Sequence, residues 1–242
     1  MPKMPVVEST TFTLPQVQEK PGYVQKLFGR IAPYYDIMND LMTMGLHRQW
    51  KKDACRLLNV KFGDTVLDIC CGTGDLEIYL NQIYPGIQPT GLDFCEPMLD
   101  IARKRCTNAQ FIQGDALALP FEDNCFNGAV ISYGLRNVAD YRQCLAEIHR
   151  VIKPGSRVVI LDMSHPVGWA NTLSAFYRFT IMPLMGRLIA NDPDAYKYLA
   201  HSIYFYLSQQ ALAELMQEVG FQKIEYRNLM GGICAMHWGI KP

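Results

Sequence analysis

The chain of 242 residues carries no net charge, because 23 lysines and arginines balance 23 aspartates and glutamates. Broad nucleic-acid binding rests on a positive field against phosphate, so this balance excludes it as a general activity. No run of 18 or more apolar residues occurs, and no membrane-spanning helix is expected. The opening MPKMPVVESTTFTLPQ lacks an apolar stretch ahead of a small-residue cleavage site, so no secretory leader is expected either. Eight cysteines are present, but there is no CxxC pair and no cysteine–histidine set with zinc spacing. They read as reduced thiols filling apolar space, with neither a disulfide nor a bound metal. Together these absences point to a cytoplasmic protein.

What is present is enough apolar material for an ordinary core, 49% of residues against 19% charged. Residues 1–22 are rich in Pro, Thr and Gln and read as a flexible arm. Residues 23–242 then read as one domain, opening with two or three helices over 23–60 that are interrupted at Pro33 and Gly45. Beyond them strand-like and helix-like segments alternate. Strands are predicted at 65–70, 88–93, 109–115, 126–133 and 157–163, with helices at 75–83, 96–106 and 140–152 and a KPGS turn at 153–156. A helix at 208–219 ends at Gly220, and two further strands follow. The fold class is therefore α/β, a doubly wound, mostly parallel, seven-stranded Rossmann-like sheet. Residues 166–206 break the alternation with a helical, aromatic- and methionine-rich stretch. It is expected to cap the carboxyl edge of the sheet, where open α/β folds bind ligands.

The first strand runs into LDICCGTGDLE, residues 67–77. A dinucleotide turn needs G-x-G-x-x-G, and here Gly72 and Gly74 are followed by Glu77 in the third position. Asp68 and Asp75 flank the turn and would repel a pyrophosphate, which makes a nicotinamide oxidoreductase remote. A ligand with a cationic end fits better, and S-adenosylmethionine has an ammonium and a sulfonium but no phosphate. On that reading Asp68 neutralises the amino end, directly or through water, and the glycines admit the methionyl part. Asp93, 19 residues past Gly74, accepts the ribose hydroxyls. Asp115 takes the adenine amino group with the Ala116 backbone beside the ring, and Ser132 meets the methionyl end. Each acid alone could be a helix cap, but three acids each ending a successive strand form an ordered set.

This order of motifs looks like a class I methyltransferase. FGRIAPYYDIMNDLMTMGLHRQWK (28–51) and ISYGLRNVADYRQCLAEIHRVIKPG (131–155) are similar to the two signatures of the quinone-biosynthesis C-methyltransferases. Those enzymes act on demethylmenaquinol and on 2-methoxy-6-polyprenyl-benzoquinol, and the similarity runs from about Val24 to the C-terminus. The resemblance implies that Thr73, Asp93, Asp115 with Ala116, and Ser132 bind the methyl donor. The C-terminal GGICAMHWGIKP is closer to the menaquinone branch. One departure is HSIY at 201–204, where the family usually has ESIR after a YL pair.

The acceptor so implied is a ring carbon made nucleophilic by ionising the neighbouring hydroxyl. Arg136 is the leading catalytic candidate, stabilising the oxyanion or polarising a water, against the alternative of an ion-pair residue. Asn137 would fix a ring oxygen. His47 is a candidate base or else a packed histidine. Tyr35 and Asp36 would line the mouth of the site, unless Asp36 only favours a helix start. Arg48 and Lys51 read as surface charge pairs. The Phe176–Leu188 stripe is either cap core or a channel for a prenyl tail, and Arg178 and Arg187 suit anionic headgroups at the inner face of a membrane. The expected partners are thus a lipophilic quinol, a peripheral membrane contact, and a homodimer or quinone-biosynthesis complex. Two other readings stand beside this one: methylation of another small phenol or amine, and a non-catalytic donor-binding scaffold.

Overall fold

The computed structural model describes Gln16, residues 18–167 and residues 193–242. Most of the expected cap, 168–192, lies outside these residues, and with it the Phe176–Leu188 stripe, Arg178 and Arg187.

Three helices precede the sheet: α1 (Lys20–Ile31), α2 (Tyr35–Thr43) and α3 (Leu46–Leu57). Helix α1 starts inside the segment expected to be an arm. Pro21 suits a first helical turn, where its missing N–H is not needed. A 3-10 turn at Ala32–Tyr34 marks the break expected at Pro33. Met44 and Gly45, at φ 51° and 76°, make the sharp corner into α3.

The sheet then assembles from β1 (Thr65–Ile69), β2 (Gln88–Asp93), β3 (Gln110–Gln113), β4 (Phe126–Ser132) and β5 (Ile152–Met163). Helices α4 (Asp75–Ile83), α5 (Glu96–Arg105) and α6 (Tyr141–Val151) connect them. After α7 (Pro193–Tyr204) and α8 (Gln209–Val219), β6 (Gln222–Leu229) and β7 (Cys234–Ile240) close the chain. The strand order is 3-2-1-4-5-7-6. Strand β7 runs antiparallel to both β5 and β6, and all other pairings are parallel. This is the mostly parallel, seven-stranded Rossmann-like sheet that the alternation implied.

Alternate residues of the central strands feed two cores, one on each face. Leu67, Ile69, Ala129 and Ile131 pack with Leu145 and Ile148 of α6 and Met216 of α8. Val66, Val130 and Val159 pack with Ala54 and Cys55 of α3 and Leu80 of α4. The outer helices stop and start where local chemistry dictates. Asp140 and Ser208 accept from the Gln143 and Ala211 backbone amides as N-caps, and Gly220 ends α8 at φ 116°. Two boundaries differ from expectation. The KPGS turn is absorbed into β5 as a bulge, with Gly155 at φ 81° where the register shifts opposite Phe126 and Gly128. Strand β3 stops at Gln113, so Asp115 lies past its end.

The chain reverses direction across the sheet between β1 and β4. That switch point, at the carboxyl ends of the strands, is where a ligand crevice is expected in such a fold.

Candidate active site

A small cavity, open to solvent, lies at this point. Gly72 comes to it from the β1 turn, Asp93 and Phe94 from the end of β2, and Ser132 with Tyr133 from the end of β4. Asn137 joins from the 3-10 turn Leu135–Asn137, while Val24, Phe28 and Tyr35 of the N-terminal helices form a facing wall. The turn after β1 is sharp because Cys70, Gly72 and Gly74 all have positive φ. A Cβ at Gly74 would lie 3.0 Å from that of Ala102, so only glycine lets α5 pack this close.

Asp93 is held by two backbone amides, Gly72 N–H donating to Oδ2 at 2.9 Å and Cys95 N–H to Oδ1 at 2.9 Å. Burial pushes its carboxyl up and those amides oppose the shift. Ser132 brings a buried hydroxyl with no hydrogen-bond partner to the cavity wall. Asn137 donates to the Tyr133 carbonyl at 3.2 Å and accepts from the Tyr198 hydroxyl at 3.2 Å. Of the residues singled out in the sequence, the cavity thus brings together Gly72, Asp93, Ser132, Asn137 and Tyr35.

The other candidates lie off the cavity wall. Asp68 is buried beneath the turn against Glu77, and burial pushes both carboxyls up, Glu77 to about 8. Asp68 therefore does not line the cavity itself. Asp75 is not a free charge. Burial alone would raise its carboxyl, but Lys51 at 2.9 Å and Arg105 at 2.7 Å hold it at about 2. Lys51, expected at the surface, is buried for this pairing, whereas Arg48 is exposed beside Asp40. The acids flanking the turn thus carry little of the field that the sequence assigned to them.

Thr73 and Asp36 belong to the same network. The Thr73 hydroxyl donates to Asp36 at 3.0 Å, and Arg105 joins Asp36 at 2.8 Å to the Thr73 carbonyl at 2.9 Å. Asp36 therefore pins α2 to the glycine turn as well as opening a helix. His47 is buried between α2 and α3, its Nε2 2.9 Å from Asp40, and burial lowers its proton affinity. The structure does not bring it to the cavity, which favours the packed-histidine reading. Arg136 is buried too. Its Nη1 donates to Asp162 at 2.7 Å and to the Tyr133 carbonyl, which occupies the charge expected to face an oxyanion. Asp115 is exposed, with Oδ1 accepting from the Leu117 amide at 2.9 Å in a local turn, and Ala116 is buried beside it.

Residues 16–241 match the ubiE/COQ5 methyltransferase family. The chain is 40% identical to a demethylmenaquinone methyltransferase of Listeria monocytogenes over 93% of its length and 98% of the relative's. It is 42% identical to a ubiquinone/menaquinone biosynthesis C-methyltransferase of Marinomonas over 92% of each chain. The chain belongs to the ubiE/COQ5 methyltransferase family. It is an S-adenosylmethionine-dependent C-methyltransferase. A crystal structure of a SAM-dependent methyltransferase from Thermotoga maritima shares the fold, with a TM-score of 0.66 and 20% identity over 90% of this chain and 99% of that one.

The cavity of this ubiE/COQ5 family member fits such a donor. The Ser132 hydroxyl is unpartnered and open to a ligand's hydrogen bond, and the Asp93 carboxylate keeps a free lone pair on each oxygen. A side chain at Gly72 would meet open space, so the backbone there is accessible to a ligand. The sequence did not single out two neighbours of Asn137: Tyr198, through its hydroxyl, and Lys20, whose Nζ donates to the Arg136 and Val138 carbonyls. Tyr198 sits in the YL pair that precedes the HSIY departure, and that pairing was the one available signal. Lys20 lies in the segment read as an arm, and nothing in its composition marked it.

Proposed function

We propose that the enzyme methylates a ring carbon of a prenylated quinol in menaquinone or ubiquinone biosynthesis, with demethylmenaquinol as its first substrate. The similarity to a demethylmenaquinone methyltransferase across 98% of that relative carries this reading. The relative named for both ubiquinone and menaquinone biosynthesis supports 2-methoxy-6-polyprenyl-benzoquinol as a second acceptor.

S-adenosylmethionine supplies an electrophilic methyl group on a sulfonium. Asp93, fixed by two amides, accepts hydroxyls of the donor, and Ser132 and the Gly72 backbone hold its methionyl part. Asp115 and Ala116, past the end of β3, flank its base. Asn137 has one amide N–H left after the Tyr133 carbonyl is served, and it holds an oxygen of the acceptor ring. Tyr35 faces it from the opposite wall. Arg136 acts through the loop, keeping Asn137 in place by its tie to Asp162. The contribution of these residues is geometric: holding donor and acceptor in near-attack geometry can remove about 7–11 kcal/mol of a barrier.

A prenylated acceptor partitions into lipid, so the enzyme works at a membrane surface. No helix among the described residues is long and apolar enough to cross one. The exposed Ile37 and Leu41 of α2, with Met44 just past its end, offer apolar area for a peripheral contact. The test incubates the protein with methyl-labelled donor and reduced demethylmenaquinone or the demethylated benzoquinol, and identifies the product by mass. Label in neither product, with a small phenol accepted instead, refutes the reading. Flotation with anionic liposomes checks the membrane contact, and protein left wholly at the bottom of the gradient refutes that part.

A further inference from the structure

Helix α1 forms one wall of the cavity through Val24 and Phe28, and it is fastened to both the β2 side and the β4 side of the crevice. Near its middle the Gln25 side-chain amide donates to the Phe94 carbonyl at 2.9 Å, on the β2 side. At its start Lys20 reaches the β4 side. Its Nζ donates to the Val138 carbonyl at 2.7 Å and to the Arg136 carbonyl at 3.1 Å. Those carbonyls end the 3-10 turn that carries Asn137, and the last carbonyls of such a turn have no partner within it. The helix therefore spans the crevice like a strap, with Lys20 as its fastening on the acceptor side.

We propose that Lys20 is a positioning residue for methyl transfer: it clamps the α1 wall onto the turn that presents Asn137, closing the donor cavity. The inference rests on the reading of this cavity as the donor site. The fastening is sensitive to protonation. Lys20 faces the Arg136 guanidinium of the 3-10 turn, the Asp162 carboxylate of β5, and the ring of Tyr141 in α6 at 5.4 Å. Burial and then the Arg136 charge lower its proton affinity to about 8, against the pull of Asp162. An ammonium released into water has its ordinary affinity near 10.5. Closing the strap thus expels a proton, and raising the pH through about 8 favours the closed form. The neutral amine still has two N–H groups, one for each carbonyl.

Lys20→Met keeps the apolar stem and removes both donors, and Lys20→Arg keeps donors without a titration in this range. The readouts are amide exchange across residues 20–31 and calorimetric affinity for S-adenosylhomocysteine between pH 7 and 9.5. The methionine variant should exchange faster across α1 and bind about tenfold more weakly, the loss of about two ordinary hydrogen bonds. Wild type should bind more tightly as the pH rises, and neither variant should show that slope. The arginine variant should recover most of the affinity, which separates lost fastening from a misfolded chain. Unchanged exchange and affinity in Lys20→Met, or the wild-type slope persisting in it, overturns the proposal. Asp93→Asn serves as the control: if it binds as wild type does, the donor-site reading has failed, and the exchange data alone then decide on Lys20.

Discussion

Arg136→Ala separates an anchor from a catalytic contact. The side chains of Arg136 and Asp162 are 6% and 2% exposed, and a 2.7 Å contact joins them. Removing one partner of a buried pair typically costs about 3–5 kcal/mol, because the other charge is left stranded. Here the stranded carboxylate keeps two backbone donors, the Arg136 amide at 3.0 Å and the Met163 amide at 2.8 Å. The loss should therefore fall at the lower end, about 3 kcal/mol. For a chain of this size that lowers Tm by about 6–12 °C. Adding Asp162→Asn should restore part of it, since the amide carries no charge and still accepts an N–H. Calorimetric melting, donor titration and methyl transfer measured on the same preparations decide the matter. The anchor account requires that stability and transfer fall together. If Arg136→Ala melts within about 1 °C of wild type, binds donor normally and transfers nothing, the guanidinium touches the acceptor and the reasoning here is wrong.

Other substitutions probe the cavity and the turn. Ser132→Ala removes a buried hydroxyl that has no partner in the protein, so Tm should hold or rise while donor affinity drops, by calorimetry, by about 0.5–1.5 kcal/mol. Glu77 takes up a proton on folding, its carboxyl moving from 4.5 to about 8, so its share of stability is full below pH 4.5 and is lost as the pH rises through about 8. Glu77→Gln should flatten the Tm profile across that window, and an unchanged slope would count against a protonated pair. Gly74→Ala forces a methyl within 3.0 Å of Ala102 at φ 81°, and should destabilise by about 1–3 kcal/mol in urea unfolding.

The sheet could be read from the sequence because its central strands are covered on both faces. Segments such as RVVILDM are then apolar almost throughout, and their spacing fixes the alternation with helices. Asp93 and Ser132 were legible for a related reason: ligand-facing residues in this fold close strands, and strand ends are visible in the pattern. The electrostatics were not. A lone Asp75 or Lys51 reads as solvated charge, and only the approach of α3 to α4 shows that they neutralise each other. Arg136 meets Asp162 26 residues away, Tyr198 meets Asn137 across 61, and Lys20 reaches Arg136 across 116. No local period encodes such contacts. The helix start at Lys20 was hidden for the same reason, because what fastens it lies in another part of the chain.

The bonds among Asp36, Thr73, Asp75, Arg105 and Lys51 make the glycine turn a property of four helices at once. Two of these five residues precede the sheet and three follow its first strand. Grafting the N-terminal helices of one family member onto the sheet of another would therefore leave buried charges unmatched unless the partners travel with them. Chimeras should be cut so that this cluster comes whole from a single parent.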